Sequence, residues 1–404
     1  MHAYRSYPAK TMFVIFAVFA LTSTTIACSA DYLIWMIRDK SADPLYRFVR
    51  GEKVGYINRM GKVVIPPSFD VSGNYGDEFH DGLLTFIGLE ENEFIDKKGR
   101  SLRMTNVYSA GEFSEGLAIA SAENGGKLGY IDTTGKFVIP PKFETYPNGT
   151  VWPFSNGYAV AEIKERVGYI NKVGDFAIPP KFIRGSSFNE ERAWVVVDGP
   201  CHYVKAGPCV DIVVVPFSAR KREDTPACKY ALIDKTGGFV SRDTFDGVQD
   251  FSEGFAAVRI NDSWGYLDKS GTIKIAPQFA IAHEFNNGLA LVGFRSNRKD
   301  RASFEWGYIN RSGVVVIPAK FARAESFSEG LAVVADSLDG PYYYIGATGK
   351  RAISQNFIVA SPFFGGLAHV KPVLRNGSAA SLYDTKGEYA YIDQTGRAVF
   401  KYNR

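Results

Sequence analysis

The sequence predicts an all-β fold made of nine tandem, three-stranded antiparallel repeat units. Three observations predict it: a hairpin motif recurs nine times at intervals of roughly 39 residues, aromatic residues make up 14% of the chain, and 40 Gly and 19 Pro supply turns. A unit of this size cannot bury its apolar face alone. Neighbouring units must therefore stack into one continuous body.

The recurring hairpin has the form Gly-Tyr-Ile-Asp-x-x-Gly and is clearest at residues 265–271 and 307–313. Its aromatic or aliphatic position is occupied by Tyr56, Phe94, Tyr130, Tyr169, Leu232, Tyr266, Tyr308, Tyr344 and Tyr391. The Asp or Asn side chain accepts hydrogen bonds from the turn backbone, and the final Gly takes a positive φ without steric cost. The turn therefore sets the register of the second and third strands of each unit.

The sequence around the hairpin supplies the other strand signals. A first strand is predicted at positions such as 331–334, and a third strand at positions such as 314–317. Proline follows the third strand, as at Pro318, and ends it because proline has no N–H for the strand ladder. A Phe-Ser-Glu-Gly motif, as at 327–330, then leads into the next unit.

Units of this length match the blades of a β-propeller in size. Nine blades exceed the usual number of about four to eight, so an open superhelical array is the alternative. Residues 31–44 form a separate N-terminal segment before the array. The array covers residues 45–404 and contains a Cys-containing insert at about 198–229 in its fifth unit.

The N-terminus predicts an export signal peptide in residues 1–30. A basic start precedes an apolar run at 12–21, and small residues follow it. The run is well short of the ~20 residues needed to cross a bilayer, although a signal anchor is an alternative. Residues 25–28 resemble a bacterial lipobox, which makes Cys28 the lipidation candidate; ordinary cleavage by residue 30 is the other outcome.

Three of the four cysteines lie in the insert. A disulfide is the default interpretation in an exported protein. Cys201 and Cys209, which end duplicated Gly-Pro-Cys triplets, are the candidate pair, and this pairing leaves Cys228 over. A zinc site built from the three cysteines and His202 has suitable ligand atoms, but the spacing matches no zinc pattern, so no metal is predicted.

The ordered motifs together resemble the WG-repeat family of bacterial proteins over nearly the whole chain after the signal. These motifs are Gly-Tyr-Ile-Asp-x-x-Gly, Ile-Pro-Pro-x-Phe and Phe-Ser-Glu-Gly-Leu-Ala-x-Val. Only Trp264 and Trp306 keep the tryptophan; the other units carry Val54, Leu128, Val167, Tyr230, Tyr343 or Tyr389, and the unit of Phe94 is degenerate. The resemblance implies an exported or surface-associated β-repeat scaffold without common catalytic residues.

Acidic residues recur at one repeat position, as at Glu115, Glu253 and Glu329. Paired carboxylates serve glycoside hydrolysis, but we interpret these acids as caps for the turn before the first strand, because they return with the repeat. The five histidines are dispersed, and no phosphate-binding loop or nucleophile elbow is present. The sequence therefore predicts no enzyme activity and no cofactor. An exported glycan-active hydrolase with acids from the inserted loops is the alternative.

Long connections between the first and second strands mark units five, seven and nine, and all three leave the same edge of their units. Insertions in repeat proteins gather on a binding face. The loop of unit seven carries four cations, Arg295, Arg298, Lys299 and Arg301, against one Asp. A solvated loop is the plain interpretation; a binding site for an anionic partner, built from Arg forks, is the alternative.

These patterns predict a noncatalytic extracytoplasmic scaffold that is secreted, periplasmic or lipid-anchored at the cell envelope. It is expected to bind a protein, glycan or envelope component through the loops on one edge. A net charge of +4 is too small for a nucleic-acid surface across the whole protein. Membrane attachment is expected only through a lipid on Cys28.

Overall fold

A computed structural model describes residues 43–70, 74–75, 78–87, 92–145, 149–198, 228–296, 304–373 and 387–404. Within these ranges the secondary structure is entirely β, and no helix is present that could cross a membrane. The strands form nine antiparallel sheets, each built from one stretch of chain, arranged as a nine-bladed β-propeller. The predicted all-β fold with nine repeats is confirmed, and the closed ring excludes the open superhelical alternative.

The strands follow one another through the blades in chain order. Blades 1 to 3 contain β1 (Tyr46–Arg50), β2 (Lys53–Ile57), β3 (Val63–Asp70); β4 (Asn74–Tyr75), β5 (Leu83–Ile87), β6 (Asn92–Asp96), β7 (Ser101–Arg103); β8 (Ser109–Ser114), β9 (Leu117–Ser121), β10 (Leu128–Asp132) and β11 (Phe137–Phe143). Blades 4 to 6 contain β12 (Gly149–Val151), β13 (Ala159–Ile163), β14 (Arg166–Ile170), β15 (Phe176–Phe182); β16 (Arg184–Gly185), β17 (Ala193–Asp198), β18 (Lys229–Ile233); β19 (Gly247–Val248), β20 (Phe255–Ile260), β21 (Ser263–Asp268) and β22 (Ile273–Phe279). Blades 7 to 9 contain β23 (Ile281–Asn286), β24 (Leu289–Arg295), β25 (Phe304–Asn310), β26 (Val315–Phe321); β27 (Arg323–Ala324), β28 (Leu331–Ala335), β29 (Tyr343–Gly346); β30 (Phe357–Ala360), β31 (Ala368–Pro372), β32 (Glu388–Ile392) and β33 (Ala398–Asn403).

Most blades contain a strand that the sequence did not predict. It precedes the three predicted strands and pairs with the first of them; we call β4, β8, β12, β16, β19, β23, β27 and β30 the leading strands. Six sheets have four strands as a result, whereas blades 5 and 8 replace the outermost strand by isolated bridges. Several leading strands are only two or three residues long, such as β19, so they carry no readable alternation of apolar and polar residues.

The predicted hairpin turn is present and is held by its own side chain. In blade 7, the N–H groups of Ser312 and Val314 each donate to Asn310 Oδ1 at 3.0 Å. Gly313 closes the turn with a φ of 78°, in the left-handed region. The bonds span two and four residues, so this local geometry follows from sequence alone.

The last strand of each four-stranded sheet forms the outer edge of the ring. In β26, Val315 is 43% exposed while Ile317 is buried. Pro318 removes a backbone N–H from this exposed edge, which opposes pairing with another chain. The neighbouring strand approaches closely here, because a Cβ on Gly307 would lie 2.7 Å from the carbonyl oxygen of Ile317.

The hydrophobic core lies between successive blades. The hairpin aromatic of one blade packs against the Phe that ends the leading segment of the next blade, with ring centroids 4.8–5.3 Å apart. These pairs are Tyr56–Phe79, Phe94–Phe113, Tyr130–Phe154, Tyr169–Phe188, Tyr266–Phe285, Tyr308–Phe327 and Tyr344–Phe363. Such pairs contribute roughly 0.5–1.5 kcal/mol beyond their buried area.

The ring closes by packing of blade 9 against blade 1, without a strand shared between the two sheets. Phe48 of β1 contacts Phe400 of β33 with centroids 4.9 Å apart. Tyr391 donates a hydrogen bond to the carbonyl oxygen of Arg47 at 2.5 Å. Tyr46 lies 5.4 Å from Tyr391 and takes the place that Phe has at the other junctions.

Candidate functional site: the two faces of the ring

Antiparallel strands give each blade two different ends. We call the end with the Phe-Ser-Glu-Gly turns and the Asp-x-x-Gly turns the turn face. The opposite end carries the connection between the two middle strands, such as 261–262 in blade 6, and we call it the loop face. A binding site on either face is therefore built from residues that recur nine times around the ring, or from insertions.

The recurring acids lie on the turn face and link neighbouring blades. Each accepts a hydrogen bond from a backbone N–H of the next blade's equivalent turn. The bonds join Asp81 to Gly116 (2.7 Å), Glu115 to Gly157 (3.0 Å), Asn156 to Glu191 (3.0 Å), Glu190 to Gly254 (3.0 Å), Glu253 to Gly288 (3.0 Å), Asn287 to Gly330 (2.7 Å) and Glu329 to Gly366 (2.9 Å). The acids do cap a turn, but that turn belongs to the following blade. Asn makes the same bond, so the position needs an acceptor and not a charge.

Cations of the Asp-x-x-Gly turns neutralise several of these acids. Arg311 contacts Glu253 at 2.8 Å and Lys269 contacts Glu190 at 2.9 Å, each from the blade that follows. The carboxylates are thus held between a backbone N–H and a cation. This arrangement links neighbouring blades on the turn face.

The loop face carries the connections that the sequence singled out. The described ends of the three long connections lie at 198 and 228 in blade 5, 296 and 304 in blade 7, and 373 and 387 in blade 9, all on the loop face. Arg295 ends β24 at this face. Arg298, Lys299 and Arg301 lie outside the described residues, so the geometry of the predicted anion site stays a prediction.

Lysines at the base of the loop face pair with acids on the adjoining strand. The pairs are Lys53 with Asp70 at 2.6 Å, Lys127 with Glu144 at 2.9 Å, and Lys401 with Glu388 at 2.9 Å; Lys229 pairs in the same way with Asp246. These cations are already balanced by neighbouring carboxylates. Exposed pairs of this kind contribute little to stability, but they reduce the local positive field.

Two hollows open near the loop face. One, of about 140 Å³, lies in blade 8, where Tyr343 donates to Asp336 at 2.7 Å and Arg351 lies 4.6 Å above the Tyr343 ring. The other, of about 770 Å³, lies between blades 3 and 4 and is lined by Phe143 and Ile163 with charged residues around them. The polar groups named in the first hollow contact one another.

The leading strands form the inner edge of the sheets, and titratable groups lie on them, as in β23, or directly after them, as after β27. Burial raises the pKa of Glu284 to about 7, and the charge of Asp250 on the preceding blade adds to the effect. Burial likewise raises the pKa of Glu325 to about 7 and lowers the pKa of His283 to about 4. Within the described part of the chain, no group of three or more His, Cys, Asp or Glu is placed to hold a metal ion.

Family comparison matches the WG-containing repeat at six places along the chain. The matched residues are 55–79, 129–165, 168–199, 230–263, 264–294 and 306–335. The chain is a WG-repeat protein. Each match begins in the hairpin of one blade and ends in the first strands of the next blade, so the repeat of the family has about the length of a blade but is offset from it.

Of three solved structures that are similar to this WG-repeat protein, the first, with a TM-score above 0.5, supports the fold alone. A eukaryotic initiation factor aligns with a TM-score of 0.57 and 12% identity, covering 90% of this chain and 96% of that one. BamB from Moraxella catarrhalis aligns at 0.39 and 10%, covering 80% and 93%. Virginiamycin B lyase from Staphylococcus aureus aligns at 0.28 and 14%, covering 73% and 92%. No curated protein matches the sequence significantly.

One cysteine prediction for this WG-repeat protein is wrong. Cys228 takes part in a disulfide, whereas the sequence interpretation left it over. Cys228 directly precedes β18, at the end of the insert. The lipidation candidate Cys28, the predicted pair Cys201 and Cys209, and His202 all lie outside the described residues.

Sequence reasoning missed the polar contacts that join the blades of the WG-repeat protein. The hairpin Tyr hydroxyl donates to a backbone carbonyl of the next blade, at 2.5–2.9 Å, from Tyr130, Tyr169, Tyr266, Tyr308, Tyr344 and Tyr391. The Ser of Phe-Ser-Glu-Gly donates to the equivalent Phe carbonyl of the next blade from Ser114, Ser155, Ser252 and Ser328. The sequence signal for these contacts was that Tyr, Ser and Glu recur at fixed positions of the repeat. Their partners lie in another unit, which a single motif does not reveal.

Proposed function

We propose that this WG-repeat protein is a noncatalytic extracytoplasmic scaffold that binds a protein, glycan or envelope component through its loop face. The observation that carries the proposal is that the three long connections leave this one face. The sheet faces pack between blades, and the turn-face acids bind the neighbouring blade. The loop face is therefore the surface on which the blades differ most from one another.

A noncatalytic role is supported by the use of the recurring acids. Glu115, Glu253 and Glu329 each hold the next blade through a backbone N–H. An extracytoplasmic location rests on the sequence of residues 1–30, whose basic start, apolar run and small residues are typical of an export signal.

Charge in the loop of blade 7 points to an anionic partner. Arg295, Arg298, Lys299 and Arg301 are spaced within seven positions of the chain, with one Asp among them. The lysines at the base of the same face are paired with acids, as at Lys53 and Asp70. Guanidinium groups bind carboxylates and phosphates in two-point contacts, and such binding weakens as salt screens it.

Two four-residue variants test the proposal. One replaces Arg295, Arg298, Lys299 and Arg301 with Ser; the matched control replaces Lys62, Lys98, Lys136 and Lys350, which are exposed on the turn face. Binding is measured against peptidoglycan, an anionic polysaccharide and a neutral polysaccharide, together with release of reducing sugar. We expect the first variant to lose affinity at an unchanged melting temperature while the control keeps it. Equal loss of affinity in both variants would mean that binding depends on the overall charge of the protein and not on this loop. Release of reducing sugar would support the hydrolase alternative.

A further inference from the structure

Two blades carry asparagine where the turn-face motif has glutamate. The turn of blade 4 reads Phe-Ser-Asn-Gly at 154–157, and that of blade 7 reads Phe-Asn-Asn-Gly at 285–288. Asn156 and Asn287 have φ values of 52° and 53°, and asparagine adopts this left-handed conformation at a lower cost than glutamate. The replacement relieves backbone strain, but it places asparagine directly before glycine.

An Asn-Gly pair is chemically labile, because glycine has no Cβ to keep its backbone nitrogen away from the asparagine side chain. The glycine nitrogen loses its proton and forms a bond to the asparagine Cγ. The C–N bond of the side-chain amide then breaks, and ammonia leaves. Water opens the resulting five-membered imide at one of its two carbonyls, which yields aspartate or isoaspartate. The only co-reactant is water.

The attacking nitrogen of both pairs is bound by a carboxylate of the preceding blade. Gly288 N–H donates to Glu253 Oε2 at 3.0 Å, and Gly157 N–H donates to Glu115 Oε2 at the same distance. Hydrogen bonds from backbone N–H groups to carboxylates are stronger than those to neutral acceptors. Each bond must break before the nitrogen can reach the side chain, so each bond opposes the first step of the reaction.

The side chain under attack is held as well, by the blade that follows. Gly330 N–H donates to Asn287 Oδ1 at 2.7 Å, and Glu191 N–H donates to Asn156 Oδ1 at 3.0 Å. In each pair, the attacking nitrogen is therefore bound to one neighbouring blade and the attacked amide is bound to the other. The two junctions must loosen before the two groups can come together.

The carboxylates are also paired with cations, which favours protection over catalysis. Arg311 contacts Glu253 at 2.8 Å, and Lys172 contacts Glu115 at 3.3 Å. In both cases the cation and the glycine N–H meet the same carboxylate oxygen, Oε2. An unpaired carboxylate can remove a proton and so speed the attack, but a neighbouring cation makes a carboxylate a weaker base.

We propose that Asn156 and Asn287 are deamidation sites controlled by the blade junctions, with Glu115 and Glu253 as the protecting groups. Conversion to aspartate keeps an acceptor side chain, and blade 2 has aspartate, Asp81, at this position. Conversion to isoaspartate routes the backbone through the former side chain and displaces the acceptor that binds the following blade. The opening of one junction then removes the turn bond of the next junction permanently.

Peptide mapping by mass spectrometry, after incubation of the folded full chain in mildly alkaline buffer, tests the proposal. Glu253→Ala and Glu115→Ala are controls for each other, because each removes the protecting carboxylate of one pair only. We expect Glu253→Ala to raise the deamidation rate of Asn287 by at least about fivefold, since local opening becomes easier when this bond is lost. The rate at Asn156 should stay unchanged in that variant, and Glu115→Ala should give the reverse pattern.

Glu253→Gln separates protection from catalysis. The glutamine oxygen still accepts from Gly288 N–H without a charge, so we expect the rate at Asn287 to stay within about twofold of the original. An unchanged or lower rate at Asn287 in Glu253→Ala would overturn the proposal, as would a marked fall in Glu253→Gln, which would identify the carboxylate as a base. Equal acceleration of Asn156 and Asn287 in Glu253→Ala would also overturn it, because deamidation would then follow unfolding of the whole chain. These measurements involve no loop-face ligand, so their outcome is independent of the proposed function.

Discussion

At the scale of the residue, the recurring Glu occupies an unfavourable backbone conformation. Glu115, Glu253 and Glu329 have φ values of 55°, 53° and 52°, and each precedes a Gly that is also at positive φ. A left-handed conformation costs a residue with a Cβ about 1 kcal/mol or more. The bond to the next blade offsets that cost. Asn287, which tolerates the conformation better, makes the same contact in blade 7.

Replacing Glu253 separates the acceptor from the charge. Glu253→Ala removes the acceptor for Gly288 N–H and the partner of Arg311. We expect it to lower the free energy of unfolding by about 1–2 kcal/mol, as measured by urea denaturation. Glu253→Asn keeps an acceptor group and should cost less. An alanine variant as stable as the original protein would contradict the role assigned to the turn-face bond.

At the scale of the element, carboxyls on or directly after the leading strands have altered acidity, namely Glu284 on β23 and Glu325 after β27. Glu284 and Glu325 keep part of their surface exposed while the surrounding blades desolvate them. Their pKa values are raised from 4.5 to about 7. The folded protein therefore holds these protons more tightly than the unfolded chain. Their contribution to stability is fully present below about pH 4.5 and is lost as the pH rises through about 7.

The double variant Glu284→Gln with Glu325→Gln tests this linkage. His283, whose lowered pKa acts in the opposite direction and removes stability as the pH falls from 6.5 towards about 4, is present in both proteins and cancels in the comparison. Relative to the variant, we expect the original protein to lose stability as the pH rises from about 5 to 8. The measurement is urea unfolding at four pH values. A difference that stays constant over this range would refute the assigned pKa shifts.

At the scale of the whole molecule, the closing junction depends on a residue without a side chain. Gly365 has a φ of 58°, and a Cβ on it would lie 2.5 Å from Tyr46 Oη and would also overlap Pro44. Blade 1 thus packs directly on the blade 9 turn. Gly288 in blade 7 also has a positive φ, of 78°, but a Cβ there would meet nothing within 4 Å.

These two glycines form a matched pair for testing closure. Gly365→Ala and Gly288→Ala share the conformational cost of a Cβ at positive φ. Only the first adds a clash at the blade 9–blade 1 junction. We expect Gly365→Ala to lower the unfolding free energy by about 1–3 kcal/mol more than Gly288→Ala. Equal melting temperatures for the two variants would mean that closure does not depend on this contact.

The sequence by itself determined the parts of the molecule whose interactions are local. The nine hairpins follow from it because Asn310 binds N–H groups two and four residues away and Gly313 accepts the positive φ. The outer-edge strand also follows, but the prediction that Pro318 ends it is wrong: β26 continues to Phe321, because a proline on an exposed edge needs no N–H for the ladder. The middle strands are apolar, and one unit cannot bury them alone, so the units must stack into one all-β body.

Only the tertiary structure decided how the units join. The partner of Glu253 is Gly288, and that of Tyr308 is Glu325, each in the next blade. Closure of the ring depends on the angle between blades. This angle accumulates over nine units, and no single motif determines it. Five of the eight leading strands escaped prediction because they have only two or three residues, too few to show an alternation of apolar and polar side chains. Local hydrogen bonds can be read from one repeat; contacts between repeats require the whole ring.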